Sequence, residues 1–252
     1  MVKLVFLGTG GWISPLNRNY VSIVLQPSNT NSLYILDFGE GAFKRMQKHK
    51  GIKPSNIKAV FISHIHGDHA LGLPGLLINL RAYGYAGVLK IIVLEKYVKF
   101  LKSLFRETGV RDKVKYEIIG VKPFDKAFSD ENIEAYTYPS KHSMESLMFK
   151  IVLKKEGRTV FYSSDTSPFK EILDYIGNSD ILIYEATFLE GFEEYAHVKG
   201  HSTIMDALNI ALELKIPYLI IFHESFMLNL PRKISVGNTV VLIPSDGDEI
   251  TI

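Results

Sequence analysis

The chain has 252 residues, no cysteine and a formal charge of +2 at neutral pH, with 46% hydrophobic and 22% charged residues. That composition excludes disulfides, thiolate metal sites and cysteine nucleophiles together. So small a charge argues neither for nor against nucleic acid as a partner, and no apolar run is long enough to span a bilayer. The length suits one large α/β domain or two fused halves. With no basic, apolar and cleavage-site leader after Met1, the expectation is a cytoplasmic protein with no membrane partner.

Residues 2–7 read as an apolar strand broken by Gly8-Thr9-Gly10-Gly11. These glycines do not make a nucleotide-binding loop, because Ile13 stands where a third glycine should fall and no Lys-Ser or Lys-Thr follows. They predict a tight turn at the edge of a site. Strands over 20–25 and 33–37, joined by a polar turn, extend a meander, and Asp37 to Gly41 opens a helix over 42–48. A strand over 58–62 follows, then an apolar helix to about 82 introduced by Pro74-Gly75, and a buried-type strand over 89–94. Residues 95–106 place Tyr97, Phe100, Leu101, Leu104 and Phe105 at helical spacing, with Lys96, Lys99 and Lys102 on a solvated face. Strands are expected over 114–119, 132–138, 147–154 and 158–163, the last two joined by Lys155-Glu156-Gly157. A helix over 168–176, a strand over 180–185, a helix over 202–214 capped by Ser202 and a strand over 217–222 come next. Strands over 239–243 and 248–252 close the chain. Two runs of strands, each followed by helices, predict two sheets packed together with helices outside.

Residues 60–76 organise the rest. Their strand ends by delivering His64, His66, Asp68 and His69 within six residues. Such a group is poor core material and costly surface, and a metal centre explains it. Imidazole and carboxylate are the ligands zinc takes when thiolate is absent. A two-residue spacing would point His64 and His66 apart on a helix, but lets them converge in a loop after a strand, where Gly67 allows a tight turn. His142, Asp165 and His223 each follow a predicted strand, and strand ends are where ligands collect in packed sheets. Together these residues suffice for two metals. His49, within Lys-His-Lys, reads as surface, and His197 as an exposed histidine before Gly200-His201.

The pattern His-x-His-x-Asp-His, with a distant His, Asp and His, resembles the metallo-β-lactamase superfamily. Leu7-Gly8-Thr9-Gly10, Leu36 to Gly41, Gly72-Leu73-Pro74-Gly75-Leu76-Leu77, Glu185-Ala186-Thr187-Phe188 and Gly200-His201-Ser202-Thr203 are most similar to its ribonuclease Z group, which processes the 3′ ends of tRNA. The resemblance implies a single domain over 1–252 with the four-layer αββα sandwich of that fold, two mixed sheets flanked by helices. It implies two zinc ions per chain, with Mn2+ or Fe2+ as substitutes, and a homodimer. His64, His66 and His142 would hold one ion, Asp68, His69 and His223 the other, and Asp165 both. Asp68 would take a proton from the attacking water, while Glu185 and His201 would protonate the leaving oxygen. The implied activity is hydrolysis of a phosphodiester, in RNA or a smaller molecule.

Ribonuclease Z enzymes carry a long, glycine-rich, basic arm between the third histidine ligand and the bridging aspartate. Residues 147–163 here hold only strand, turn and strand. Without the arm, contacts to a folded RNA must come from elsewhere, and a small phosphodiester is favoured. Tyr184 and Ser164 also depart from the family's usual His and Gly. Hydrolysis of another ester, such as a sulfate ester or thioester, stays open, since the fold does not choose the scissile bond. A di-iron oxidoreductase would want a harder oxygen ligand at His66, and a binding module should have lost ligands.

Overall fold

The computed structural model describes residues 1–225 and 231–252. In chain order the elements are β1 (Val2–Gly8), β2 (Ser22–Pro27), β3 (Leu33–Leu36), α1 (Ala42–Lys48), β4 (Ile57–Ile62), α2 (Gly67–Ala70), α3 (Leu73–Ala82), β5 (Leu89–Leu94), α4 (Val98–Glu107) and β6 (Tyr116–Val121). They continue with β7 (Lys126–Ser129), β8 (Ile133–Pro139), β9 (Leu147–Leu153), β10 (Arg158–Tyr162), α5 (Ile172–Ile176), β11 (Ile181–Glu185), α6 (Glu193–Lys199), α7 (Ile204–Glu213), β12 (Tyr218–Phe222), β13 (Lys233–Val236), β14 (Thr239–Leu242) and β15 (Glu249–Thr251). One sheet has the order β15-β1-β2-β3-β4-β5-β6 and the other β13-β14-β12-β11-β10-β9-β8-β7. Both are mixed, and helices flank them, as the sequence predicts.

The central strands are apolar on both faces because both faces are covered. In β11, Ile181 and Ile183 face the core between the sheets, whereas Leu182 and Tyr184 pack with Ala207, Ile210 and Ala211 of α7. In β12, Ile220 and Phe222 point inward and Leu219 and Ile221 outward. Each such side chain contributes about 1.5–3 kcal/mol through burial. Phe61 of β4 lies edge-on to Phe149 of β9 at 5.4 Å and to Phe128 of β7 at 5.8 Å, so aromatic rings join the two sheets.

Several local expectations are corrected. Thr203, not Ser202, caps α7: its hydroxyl accepts from Asp206 N and the Asp206 carboxylate accepts in return. Ser202 instead donates to Thr166 O at 2.7 Å. The helix expected over 168–176 shortens to α5, which begins only at Ile172. β7, β13, α2 and α6 were not expected, and residues 248–252 return across the molecule to pair with β1. No described helix is long and apolar enough to cross a membrane.

Candidate metal centre

The parallel strands β4, β10 and β12 end on one side of the molecule, each followed by a predicted ligand. His64 and His66 leave β4, while Asp68 and His69 lie on the single turn of α2 rather than in an irregular loop. His142 follows β8, Asp165 follows β10 and His223 follows β12. Asp37, Ser164 and His223 have positive φ of 53°, 52° and 63°. Such backbone costs a non-glycine residue about 1–2 kcal/mol and is held only where neighbours impose it.

All seven predicted ligands converge. His64 Nε2 and His142 Nε2 lie 3.0 and 3.1 Å from His66 Nδ1, and each is 3.9 Å from Asp165 Oδ2. Beside them, His223 Nε2 is 3.2 Å from Asp68 Oδ2, 3.3 Å from His69 Nε2 and 3.3 Å from Asp165 Oδ1. Ligands about 2.1 Å from a tetrahedral ion stand roughly 3.4 Å apart. The two groups, His64-His66-His142-Asp165 and Asp68-His69-His223, therefore match the spacing of two adjoining ion sites.

The hydrogen bonds behind the rings determine which nitrogens face inward. His69 Nδ1 donates to Asp37 Oδ2 at 2.8 Å, His142 Nδ1 to Gly200 O at 2.8 Å, and His223 Nδ1 to Thr187 Oγ1 at 2.7 Å. Ser63 Oγ donates to Asp37 and accepts from His64 Nδ1 at 2.9 Å. With Nδ1 donating outward, His64, His142 and His223 turn Nε2 inward as a lone pair, an arrangement that a bound cation would satisfy. Asp68 Oδ1 and Asp165 Oδ1 are buried with no hydrogen-bond partner, so the carboxylates fit the same ions.

Electrostatics agree. Burial holds His64 well below the ordinary histidine range, and burial with His142 lowers His66 to about 4, so both rings are neutral. Burial opposes charge on His69, but Asp165, Asp68 and Asp37 outweigh it and raise its pKa well above 6.5. The centre carries a surplus of negative potential. Burial also opposes ionisation of Asp165, which His223 and His69 nonetheless hold well below its usual range.

Glu185, at the end of β11, is fully buried. Its Oε1 accepts from Thr166 N and from His201 Nδ1, both at 2.9 Å, and its Oε2 accepts from Thr187 N and Oγ1. Burial disfavours charge on His201, yet Glu185 outweighs it and lifts the imidazole to about 9. His201 Nδ1 stands 4.0 Å from Asp165 Oδ2, so the pair adjoins the metal groups.

The sequence reading missed the residues that orient the ligands. In the sequence Asp37 reads as an acidic residue before a helix, whereas Ser63, His69 and Tyr162 all donate to it; its place at the end of β3 is the available signal. Tyr162 reads as core, and nothing in the sequence marks it. Gly200, with φ +79°, must lack a side chain, since a Cβ would lie 2.8 Å from His142 Cα. Gly67 does not adopt a positive φ, and a Cβ there would meet Leu71 Cδ1 at 3.1 Å and Trp12 Cζ2 at 3.6 Å. His49 pairs with Glu249 and His197 with Asp206, and neither joins the described metal groups. A larger groove, about 830 Å³, is lined by Arg81, Arg111, Lys113 and Lys115 at the opposite ends of β5 and β6 and holds none of these ligands.

The family model of anti-Pycsar protein Apyc1 matches residues 2–223. The ribonuclease Z of Picrophilus torridus is 31% identical over 90% of this chain and 87% of its own length. Human short-form tRNase Z superposes with a TM-score of 0.83 at 24% identity, covering 99% of each chain. The metallo-β-lactamase fold protein YhfI from Bacillus subtilis gives 0.80 at 18% identity, covering 99% of this chain and 98% of its own.

Proposed function

The chain belongs to the family of anti-Pycsar protein Apyc1 and, with ribonuclease Z, to the metal-dependent hydrolases of the metallo-β-lactamase superfamily, and we propose that it is a binuclear zinc phosphodiesterase of small or unstructured substrates. One observation carries this reading: seven His and Asp side chains turn ligand atoms toward two adjoining points, with the His201–Glu185 pair at their edge. The nitrogen and oxygen donor set suits zinc and also accepts Mn2+ or Fe2+.

Two divalent cations there would supply an acidified water and neutralise charge on the phosphoryl oxygens. Asp68, with Oδ1 lacking a donor, takes the proton that the attacking water releases. As the bond from phosphorus to the leaving oxygen opens, His201 gives that oxygen a proton. Glu185 keeps His201 charged and aimed, and its three hydrogen bonds to Thr166 and Thr187 prevent it from swinging away. Proton loss from Asp68 and gain by His201 restore the starting state.

Substrate size follows from what surrounds the centre. Between His142 and Asp165 the chain runs β9, a tight turn at 154–157 and β10, with no arm. The cleft over the ligands is about 290 Å³, near the lower end for ligand sites and suited to one nucleotide. The 31% identical ribonuclease Z keeps RNA as the second substrate class. A zinc-loaded preparation, with Asp68→Ala as the blank, should hydrolyse a chromogenic phosphodiester and spare a precursor tRNA with a 3′ trailer. Cleavage of the tRNA at the discriminator base would replace the small substrate by RNA. Inactivity on both would end the phosphodiesterase reading. Metal analysis should find two equivalents of zinc, and light scattering tests the homodimer that this reading includes.

A further inference from the structure

The groove of about 830 Å³ at the far end of the first sheet takes no part in the chemistry above. One wall is Arg81 with the loop 84–87 that follows α3, and the other is residues 111–116, which lead from α4 into β6. The parallel strands β4, β5 and β6 run from this end toward the side that carries the metal groups. Six residues of β5 therefore separate groove and centre by about 20 Å.

Both walls are held by their own backbone. Gly84, with φ +67°, closes the end of α3: its N donates to Arg81 O at 3.1 Å, and Tyr85 N donates to Leu80 O at 2.9 Å. Opposite, Val110 N and Arg111 N share Phe105 O at 2.9 and 3.0 Å, and Lys113 N donates to Val110 O at 3.1 Å. The Tyr85 hydroxyl donates to Ile57 O at 2.8 Å, and the Tyr116 ring lies edge-on to Phe105 at 5.3 Å. The concavity is preformed, so a ligand need not order it.

Its charge is one-sided. Arg81, Arg111, Lys113 and Lys115 line it against a single carboxylate, Asp112, which Arg111 holds at 3.0 Å. Four cations against one acid leave a surplus larger than the +2 of the entire chain. Among the described residues Arg81, Lys113 and Lys115 have no carboxylate within 4.0 Å, whereas nearby Lys90 and Lys96 are paired with Glu117 and Glu145. Like charges gathered around a hollow repel one another and focus a positive field on the enclosed space. The ligand that answers such a field carries its negative charges equally close together. Adjacent phosphates do so, and each offers several acceptor oxygens to Arg and Lys donors. An extended acidic peptide places same-face carboxylates about 7 Å apart, one charge each, and a bilayer surface cannot enter the hollow.

We propose that this groove binds a run of adjacent phosphates, free or borne by a small molecule, as a site separate from the metal centre. The site stands whether or not the phosphodiesterase reading does.

Zinc-loaded protein titrated with pyrenetetrasulfonate, a fluorescent tetra-anion that a phosphodiesterase cannot hydrolyse, should show a saturable rise in anisotropy. The rise should survive removal of zinc by the neutral chelator phenanthroline and weaken steeply with salt. Inorganic tripolyphosphate should displace the dye at a concentration at least about tenfold below that of orthophosphate, the gain expected from one further charged contact. The double variant Lys113→Glu/Lys115→Glu should weaken both anions about 100-fold, roughly tenfold per cation. Lys99→Glu/Lys102→Glu, on the solvated face of α4, should leave them unchanged. All four lysines are exposed, so circular dichroism should match the wild type in both variants. Tighter displacement by adenosine triphosphate than by tripolyphosphate would assign the phosphates to a nucleoside-borne ligand, and the reverse to a free one; either supports the site. No saturable binding, binding lost with zinc, or equal weakening in the two double variants would overturn it. A uridine dodecamer that displaces the dye better per phosphate than tripolyphosphate would also overturn it, in favour of a nucleic-acid strand.

Discussion

Replacing Asp37 by asparagine changes one buried charge and almost no volume, and so isolates what that carboxylate does. Its Oδ1 accepts from Ser63 N at 2.7 Å, and its Oδ2 from Ser63 Oγ at 2.8 Å, His69 Nδ1 at 2.8 Å and Tyr162 OH at 2.6 Å. Burial and Asp37 hold the Tyr162 pKa well above 10, so its hydroxyl is a donor. An asparagine keeps three of these bonds only by turning its NH2 toward the Ser63 N–H. That loses one bond to a charged acceptor, about 1.5–3 kcal/mol, and weakens the others from charged to neutral strength. The sum, roughly 3–5 kcal/mol, matches the cost of breaking a buried pair and is a large share of a typical 5–15 kcal/mol stability. His69 would also lose the partner that orients it, so metal affinity should fall about 10–100-fold. Urea denaturation and competition with a chromogenic chelator measure the two effects. A variant within about 1 kcal/mol of wild type, binding zinc as tightly, would refute the assignment of Asp37 as the residue that aims His69 and braces His64.

His201→Ala should lower kcat on a diester with an alcohol leaving group by about 10²–10⁴-fold, and far less on a 4-nitrophenyl ester, whose leaving group needs no proton; equal losses on the two would remove His201 as the acid. Since Glu185 raises the His201 pKa to about 9, the proton-donating form is present at neutral pH and lost as pH rises through that value. The alkaline limb of kcat for the alcohol ester should therefore lie near 9, and Glu185→Gln should move it down toward the ordinary 6.5. Gly11→Ala would bring a Cβ to 2.6 Å from His223 Cε1; a roughly tenfold or larger loss of zinc affinity with an unchanged circular dichroism spectrum is expected, read by the same chelator competition. Removing metal should lower the thermal midpoint, and zinc at 100 times its Kd should restore about 2.7 kcal/mol, measured by calorimetry before and after chelation.

The sequence made the candidate ligands legible because metal chemistry requires particular residue types at strand ends. His64, His66, Asp68, His69, His142, Asp165 and His223 could be read without any knowledge of tertiary contacts. The two-sheet arrangement was legible for a similar reason, since continuously apolar runs such as β11 and β12 must be covered on both faces. The supporting shell was not. Asp37, Tyr162 and Thr187 act through partners 32, 125 and 36 positions away in the chain, and a single buried tyrosine looks the same whether or not it holds a ligand's partner. β7 and β13 are four residues each and half-exposed, too short for alternation to rise above a loop. Thr203 displaced Ser202 as the cap because the neighbouring serine was engaged at Thr166, a contact 36 residues distant.

The ligand groups also bear on mechanical integrity. His64 and His66 come from the end of β4 in the first sheet, whereas His142 and Asp165 follow β8 and β10 in the second. Asp68 and His69 again belong to the first sheet's side and His223 to the second. An ion in either place would therefore be a rivet driven through both halves of the sandwich at its open rim. Under the proposed function the reactive centre and the fastening between the two sheets would be one object, so loosening the halves and silencing the enzyme would become a single event.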